Sequence, residues 1–149
     1  MGHPADGSLL VAEERERYGA KYLTRARLGQ GAFRVLVTDA YQRRCAVNGE
    51  CTLPVLQAAH IKAHAESGPN RVDNGMLLRA DLHILLDRGY ITLTEALQIE
   101  VSRRIHEGFE NGREYYALHG QGLAMVPAQG LEWLSRDIIR WHIENRYLS

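Results

Sequence analysis

Residues 45–90 decide the fold of this chain; they read C-A-V-N-G-E-C-T-L-P-V-L-Q-A-A-H-I-K-A-H at 45–64 and, after a polar loop, D-N-G-M-L-L-R-A-D-L-H-I-L-L-D-R-G-Y at 73–90. Three polar residues stand out in this segment. His60 ends an apolar run, Asn74 follows the loop, and His83 lies within an apolar helical pattern, four residues before Asp87. These three residues are the candidate functional residues of the segment.

Hydrophobic periodicity predicts the elements of this segment. Residues 55–61 are predicted as a short strand, with Pro54 near its start and His60 near its end. Leucines at helical spacing predict a helix over 79–88, and Gly89 is expected to end it as a C-cap. Residues four apart share one face of a helix, so the side chains of His83 and Asp87 are expected to lie together.

Further elements are predicted on both sides. A helix over 32–42 follows the G-x-G of residues 29–31, which either cradles a phosphate group or forms only a tight turn. Alternating runs within 91–101 predict a β-hairpin, and Asn48-Gly49 is a second hairpin signal. Apolar spacing over 131–147 predicts an amphipathic C-terminal helix.

Length and composition indicate an ordinary globular protein. The chain has 149 residues, of which 45% are apolar and 24% charged, enough for one domain with a real core. No internal repeat or linker is evident, so we expect an N-terminal extension over 1–24 and one domain over 25–149. No apolar run approaches the ~20 residues of a membrane span. The first residues lack a secretory signal pattern, so we expect no membrane association and a cytoplasmic location.

The charged residues give a mixed indication of nucleic-acid binding. The formal net charge is zero, which argues against a strong nonspecific binder. Sixteen of the 18 basic residues are Arg, and the guanidinium group suits bidentate contacts with phosphate. A general preference for Arg over Lys would produce the same count.

The two cysteines, Cys45 and Cys51, do not predict a metal site. Their C-x5-C spacing differs from a zinc knuckle, and no second pair completes a set of four ligands. We expect both to be reduced, with Cys45 buried.

The central motifs resemble the HNH, or ββα-metal, nuclease superfamily. The greatest similarity is to the bacterial branch that carries A-A-H-I, N-G-L-L-L and L-H-x-L-F-D-x-G. Those motifs read here as A-A-H-I at 58–61, N-G-M-L-L at 74–78 and L-H-I-L-L-D-R-G at 82–89. The flanking R-L-G-Q-G-A-F-R at 27–34 and V-S-R-R-I at 101–105 are also similar to that branch. The resemblance implies an α+β fold, with a ββα-metal (His-Me finger) core, flanking helices and a β-hairpin.

The resemblance also implies a role for each polar residue of the motifs. His60 matches the general base, and a histidine with an ordinary pKa of about 6.5 can take a proton from water near neutral pH. Asn74 matches the residue whose amide ties down the loop and orients the base. His83 matches the metal ligand of the helix, and Asp87 matches a second helix position where many members carry another His. The implied cofactor is one divalent ion, with Mg²⁺ or Mn²⁺ favoured and Zn²⁺ or Ni²⁺ as alternatives.

Ala59 departs from the pattern of the family. Many members place a metal-binding Asp or His immediately before the base, and an alanine cannot bind an ion. Either His83 and Asp87 hold the ion with water and substrate phosphate, or His60 is itself a ligand and the base is unassigned. Ala59 also suggests an alternative function, a catalytically impaired module of HNH fold that binds DNA or a protein.

The implied activity is a metal-dependent hydrolysis of DNA phosphodiester bonds, of the restriction type among others, with double-stranded DNA as the partner. A homodimer through the C-terminal helix, with Trp133 and Trp141 at its interface, is a further arrangement that the sequence allows. Four arginines near the motifs are either phosphate contacts or ordinary solvated charges: Arg34, Arg71, Arg79 and Arg88.

Overall fold

The structure, a computed structural model, describes residues 29–109 and 112–149. The extension expected over 1–24 therefore lies outside the described residues. The helices are α1 (Gln30–Ala40), α2 (Ala80–Asp87), α3 (Arg103–Phe109), α4 (Arg113–Tyr116) and α5 (Arg136–Asn145). The strands are β1 (Leu56–His60), β2 (Gly75–Arg79), β3 (Ile91–Leu93) and β4 (Ile99–Val101). The pairs β1–β2 and β3–β4 each form an antiparallel sheet, so the α+β class is confirmed.

Two strands and one helix form the unit that the motifs implied. Strands β1 and β2 pair with Leu56 opposite Arg79 and His60 opposite Gly75. Strand β2 runs directly into α2, and Gly89 follows that helix with a φ of 82°, as expected for a glycine C-cap. The order β1, β2 and α2 is the ββα arrangement of the predicted core.

Helix α1 packs closely against β2 and thereby positions His60. Its residues Phe33 and Val37 are buried, and a Cβ atom added at Gly75 would overlap the side chains of both. The same close packing lays the ring of Phe33 on that of His60, with centroids 4.0 Å apart and an interplanar angle of 13°. Glycine at position 75 is thus required by the distance between helix and strand.

Replacing Gly75 with Ala is expected to destabilise the fold by about 1–3 kcal/mol, the usual cost of overpacking a core. Chemical denaturation followed by circular dichroism would measure the free energy of unfolding. Gly122→Ala is the matched control, because an added Cβ there meets no atom within 4 Å. Equal stability of the two variants would contradict the close packing of α1 on β2.

The β-hairpin predicted within 91–101 is confirmed, since β3 pairs with β4. The hairpin expected at Asn48-Gly49 is wrong. Gly49 does form a turn, with a φ of 76°, but no strand flanks it. The N–H of Cys45 bonds the carbonyl oxygen of Glu50 across the turn, but the N–H of the next residue, Ala46, bonds the carbonyl oxygen of Leu77 in β2, both at 2.8 Å. No ladder of strand pairing therefore continues from the turn.

The C-terminal helix is shorter than predicted. Helix α5 begins at Arg136, because Ser135 has an extended backbone and is its N-cap. Trp133 therefore lies outside the helix. The buried side chains of α5 include Ile138 and Ile139, which pack within the core of the same chain. A homodimer through this helix stays a prediction and would have to use the residues that α5 leaves exposed.

Both cysteines are free, with Cys45 buried and Cys51 exposed, as expected. In the described ranges, none of the helices combines the length and the apolarity needed to cross a membrane.

Candidate active site

The ring of His60 is held at the end of β1 by two neighbours. Its Nε2 lies 2.7 Å from Oδ1 of Asn70, a side chain that is only 5% exposed. An amide oxygen can only accept a hydrogen bond, so Nε2 carries the proton and Nδ1 keeps its lone pair. Phe33 stacks on one face of the ring. The arrangement presents Nδ1 as the proton acceptor.

His60 opens into a cleft of about 450 Å³, which is also lined by Ala58 and by the first residues of α1, including Arg34. Gly29 is the N-cap of that helix and offers no side-chain hydrogen bond, and the first turn of α1 contains no acidic residue. The N–H groups of a helix's first turn lack partners within the helix and attract anions. The cleft therefore combines an imidazole with a local environment that favours a negatively charged ligand.

Asn74 is fully buried and ties the loop between β1 and β2. Its Oδ1 accepts a bond from the N–H of Lys62 at 2.8 Å. Its Nδ2 donates to the carbonyl oxygens of Lys62 at 3.0 Å and Pro69 at 2.8 Å. All three bonds go to backbone groups, so Asn74 affects His60 only through the loop that carries Asn70.

His83 and Asp87 lie side by side on α2. Nε2 of His83 is 3.2 Å from Oδ2 of Asp87, and Nδ1 of His83 is 2.7 Å from Oε1 of Gln57 in β1. Donation from Nδ1 to that oxygen leaves the Nε2 lone pair facing the carboxylate. Two ligand atoms that are each about 2.1 Å from one ion, with a right angle between them at the ion, lie about 3 Å from each other. The pair therefore fits a cation, with Gln57 as the outer partner that orients the imidazole.

The protein supplies few further ligands at this position. Among the side chains that the structure describes, no group of three or more His, Cys, Asp or Glu is placed to share an ion. Ala59 is fully buried and contributes only a methyl group. Two protein ligands suit an ion that keeps several of its waters, as Mg²⁺ does.

The candidate residues form two separate groups on one strand. Gln57, the partner of His83, and His60, the partner of Asn70, are three residues apart in β1, or about 10 Å along the strand. An odd spacing directs their side chains to opposite faces. A substrate that uses both groups must therefore reach them around the end of β1.

Two of the four candidate arginines already have carboxylate partners. Arg79 contacts Asp81 through Nε at 2.7 Å and through Nη2 at 2.9 Å, and these bonds hold the pKa of Asp81 below its usual value. Arg71 pairs with Asp73 at 3.0 Å, where burial nevertheless raises the pKa of the carboxyl group. Arg88 is exposed just after α2. Arg34 lines the same cleft as His60.

Two residues of the site were not predicted. Gln57 interrupts the apolar run at 53–61, so its polarity was a visible signal that the strand carries a second functional side chain. Asn70 lies in a loop of polar residues, where nothing in the sequence distinguishes it from its neighbours.

Comparisons with known proteins agree with the fold that carries these residues. Residues 45–94 match the family model described as HNH endonuclease, and this range contains β1, β2, α2 and the candidate base and metal ligands. Among solved structures, the modification-dependent TagI restriction endonuclease is similar, with a TM-score of 0.53 and 21% identity over 77% of this chain. The match spans 37% of that protein. No curated protein sequence matches the chain. The HNH resemblance and the ββα-metal fold are thereby confirmed.

Proposed function

We propose that this chain, whose residues 45–94 match the HNH endonuclease family, is a divalent-metal-dependent endonuclease that hydrolyses DNA phosphodiester bonds. The observation that carries the proposal is the pair of His83 and Asp87, 3.2 Å apart. Because Gln57 occupies the other ring nitrogen of His83, the pair has the form of a metal site with an outer partner.

His60 is proposed to start the reaction as the general base. Its Nδ1 takes a proton from the attacking water, while its Nε2–H remains bonded to Asn70. The Asn70 oxygen then faces the positive charge that the ring acquires and stabilises it. Arg34 and the first N–H groups of α1 are placed to bind a phosphate oxygen in the same cleft.

The metal ligands His83 and Asp87 are the second group of the proposed site, and a substrate that uses both groups is proposed to bind around the end of β1. The two ligands would hold a Mg²⁺ or Mn²⁺ ion, which would supply positive charge against the charge that develops on the phosphate group. Asp87 is 56% exposed at its side chain, so the ligand pair is open to solvent and to a substrate. A carboxylate beside an imidazole favours these harder ions over Zn²⁺ or Ni²⁺.

A second candidate function is a module that binds DNA without cleaving it. Two features favour it: Ala59 offers no ligand, and the described residues contain no group of three or more ligands. In this alternative, His60 and Arg34 would bind a phosphate group and no hydrolysis would follow.

Double-stranded DNA in the cytoplasm is the proposed substrate, as the restriction activity named for the structural relative suggests. The chain spans only 37% of that protein, and the activity proposed for it is limited to cleavage of the DNA backbone.

Nicking of a supercoiled plasmid tests the proposal. The purified protein is expected to relax or linearise the plasmid with Mg²⁺ or Mn²⁺ and to leave it intact in EDTA. The same assay is repeated with Zn²⁺ and with Ni²⁺. If the protein shifts the plasmid on a gel but no metal supports nicking, the binding module replaces the enzyme as the conclusion.

A further inference from the structure

We propose that a second cavity, of about 620 Å³ beside β4, binds a phosphate group of the DNA backbone next to the cleaved bond. It lies apart from the cleft that contains His60 and shares no lining residue with it. The inference rests on the proposed function, since it names how the same DNA is held beyond the reacting phosphate.

Two arginine side chains give the cavity groups that can bind an anion. Arg103 and Arg104 begin α3 and line the cavity, and both are exposed. Neither guanidinium group has a carboxylate partner within the described residues. The negative groups of the lining are the side chain of Glu100 and the main-chain carboxylate of Ser149, and neither is paired with a guanidinium group of the described residues, so both arginines remain available to a phosphate group. A guanidinium group is planar and presents its N–H groups as a fork that matches phosphate oxygens.

Two further side chains give the cavity neutral donors. Nδ1 of His119 accepts a bond from the N–H of Val101 at 3.0 Å, so the proton of the ring is on Nε2. Burial raises the pKa of Tyr147, and the charge of Glu100 adds to this, which keeps the hydroxyl protonated. Charged forks together with N–H and O–H donors form a set suited to phosphate oxygens.

The cavity is attached to the end of the helix that carries the proposed metal ligands. The N–H of Leu148 bonds the carbonyl oxygen of Gly89, and the N–H of Ser102 bonds that of Tyr90, both at 2.8 Å. These bonds hold its two walls against the residues that follow Asp87. A nucleic-acid strand that leaves Asp87 past the C-terminal end of α2 therefore approaches the arginine pair.

Binding of a short fluorescent DNA duplex, measured by anisotropy in EDTA over a salt series, tests this site. The double variant Arg103→Gln, Arg104→Gln is expected to bind at least about tenfold more weakly at low salt, with a shallower salt dependence. The slope of log K against log salt should fall by about 1 to 2, because each neutralised phosphate contributes about 0.9. The double Lys variant should keep most of the slope, since it keeps both charges.

Arg43→Gln is the matched control, because Arg43 is exposed near the end of α1, outside the lining of the cavity. A slope that the double Gln variant leaves unchanged, or that Arg43→Gln reduces equally, would overturn the proposal. A third outcome would also overturn it: inorganic phosphate raises the melting temperature only when Arg103 and Arg104 are present, but duplex binding does not depend on them. The ligand of the cavity would then be a free anion.

The outcomes of this test and of the nicking assay are separable. Binding in EDTA requires no hydrolysis. If the wild-type protein binds DNA through the two arginines but never cuts it, only the proposed endonuclease activity is refuted. If the protein cuts DNA but the double Gln variant has the salt slope of wild type, only the proposed phosphate site in the cavity is refuted.

Discussion

Replacing His60 with Ala is expected to slow DNA cleavage by about 10²- to 10⁴-fold, the usual contribution of a general base, and to leave metal affinity unchanged. The reason is positional: the ring contacts Asn70 and Phe33, whereas the metal pair lies on α2. Single-turnover nicking at saturating Mn²⁺ would give the rate, and titration calorimetry would give the affinity for the ion.

His64→Ala is the control for this experiment. The ring of His64 is 6.3 Å from that of His60 and is exposed, so its loss is expected to leave the rate unchanged. If His60→Ala instead abolishes metal binding, His60 is a ligand and the general base must be sought elsewhere. Equal rates for wild type and His60→Ala would remove it from the reaction altogether.

Asn70 acts through His60 and is therefore proposed as a positioning residue. Asn70→Ala is expected to reduce the rate less than His60→Ala, because the base remains but loses its orientation. Asn70→Asp gives a sharper reading, since a carboxylate on Nε2 favours the charged imidazole and should move the pH–rate profile of the base upward. A variant that merely loosened the loop would lower the rate without moving that profile.

The ββα unit could be predicted because its polar residues are few and their order is specific. Strand β2 itself had no strand periodicity, because residues 75–78 are all buried between α1 and α2. A strand covered on both faces reads as a continuous apolar run. The motif resemblance, rather than alternation, therefore located the strand.

The contacts within the site depend on how the loop between β1 and β2 closes. Asn70 meets His60 only because Asn74 ties Lys62 to Pro69 across that loop, a closure that no local pattern encodes. The same holds for the arginines: Arg79 and Arg34 look alike in the sequence, but among the residues that the structure describes only Arg79 of these two has an aspartate at bonding distance. Pairing in three dimensions, rather than residue type, separates a structural charge from a candidate ligand contact.

Replacing Asp87 with Ala is expected to weaken Mn²⁺ binding by at least about 10- to 100-fold, since even outer partners of metal ligands contribute that much. The carboxylate supplies the negative charge of the pair, and His83 alone would hold a hard cation poorly. Titration calorimetry at fixed pH would measure the affinity. Asp39→Asn, at an exposed position of α1, is the control and should bind the ion as wild type does.

Two further variants identify what Asp87 contributes. Gln57→Ala should cost less than Asp87→Ala, because it removes only the partner at Nδ1 of His83. Asp87→His introduces the residue that many HNH enzymes carry at this position. It should move the metal preference of the protein from Mg²⁺ or Mn²⁺ toward Zn²⁺ or Ni²⁺, because imidazole suits the softer ions. An unchanged affinity of Asp87→Ala for Mn²⁺ would contradict the assignment of Asp87 as a metal ligand. An unchanged preference in Asp87→His would mean that substrate and water, rather than this side chain, select the ion.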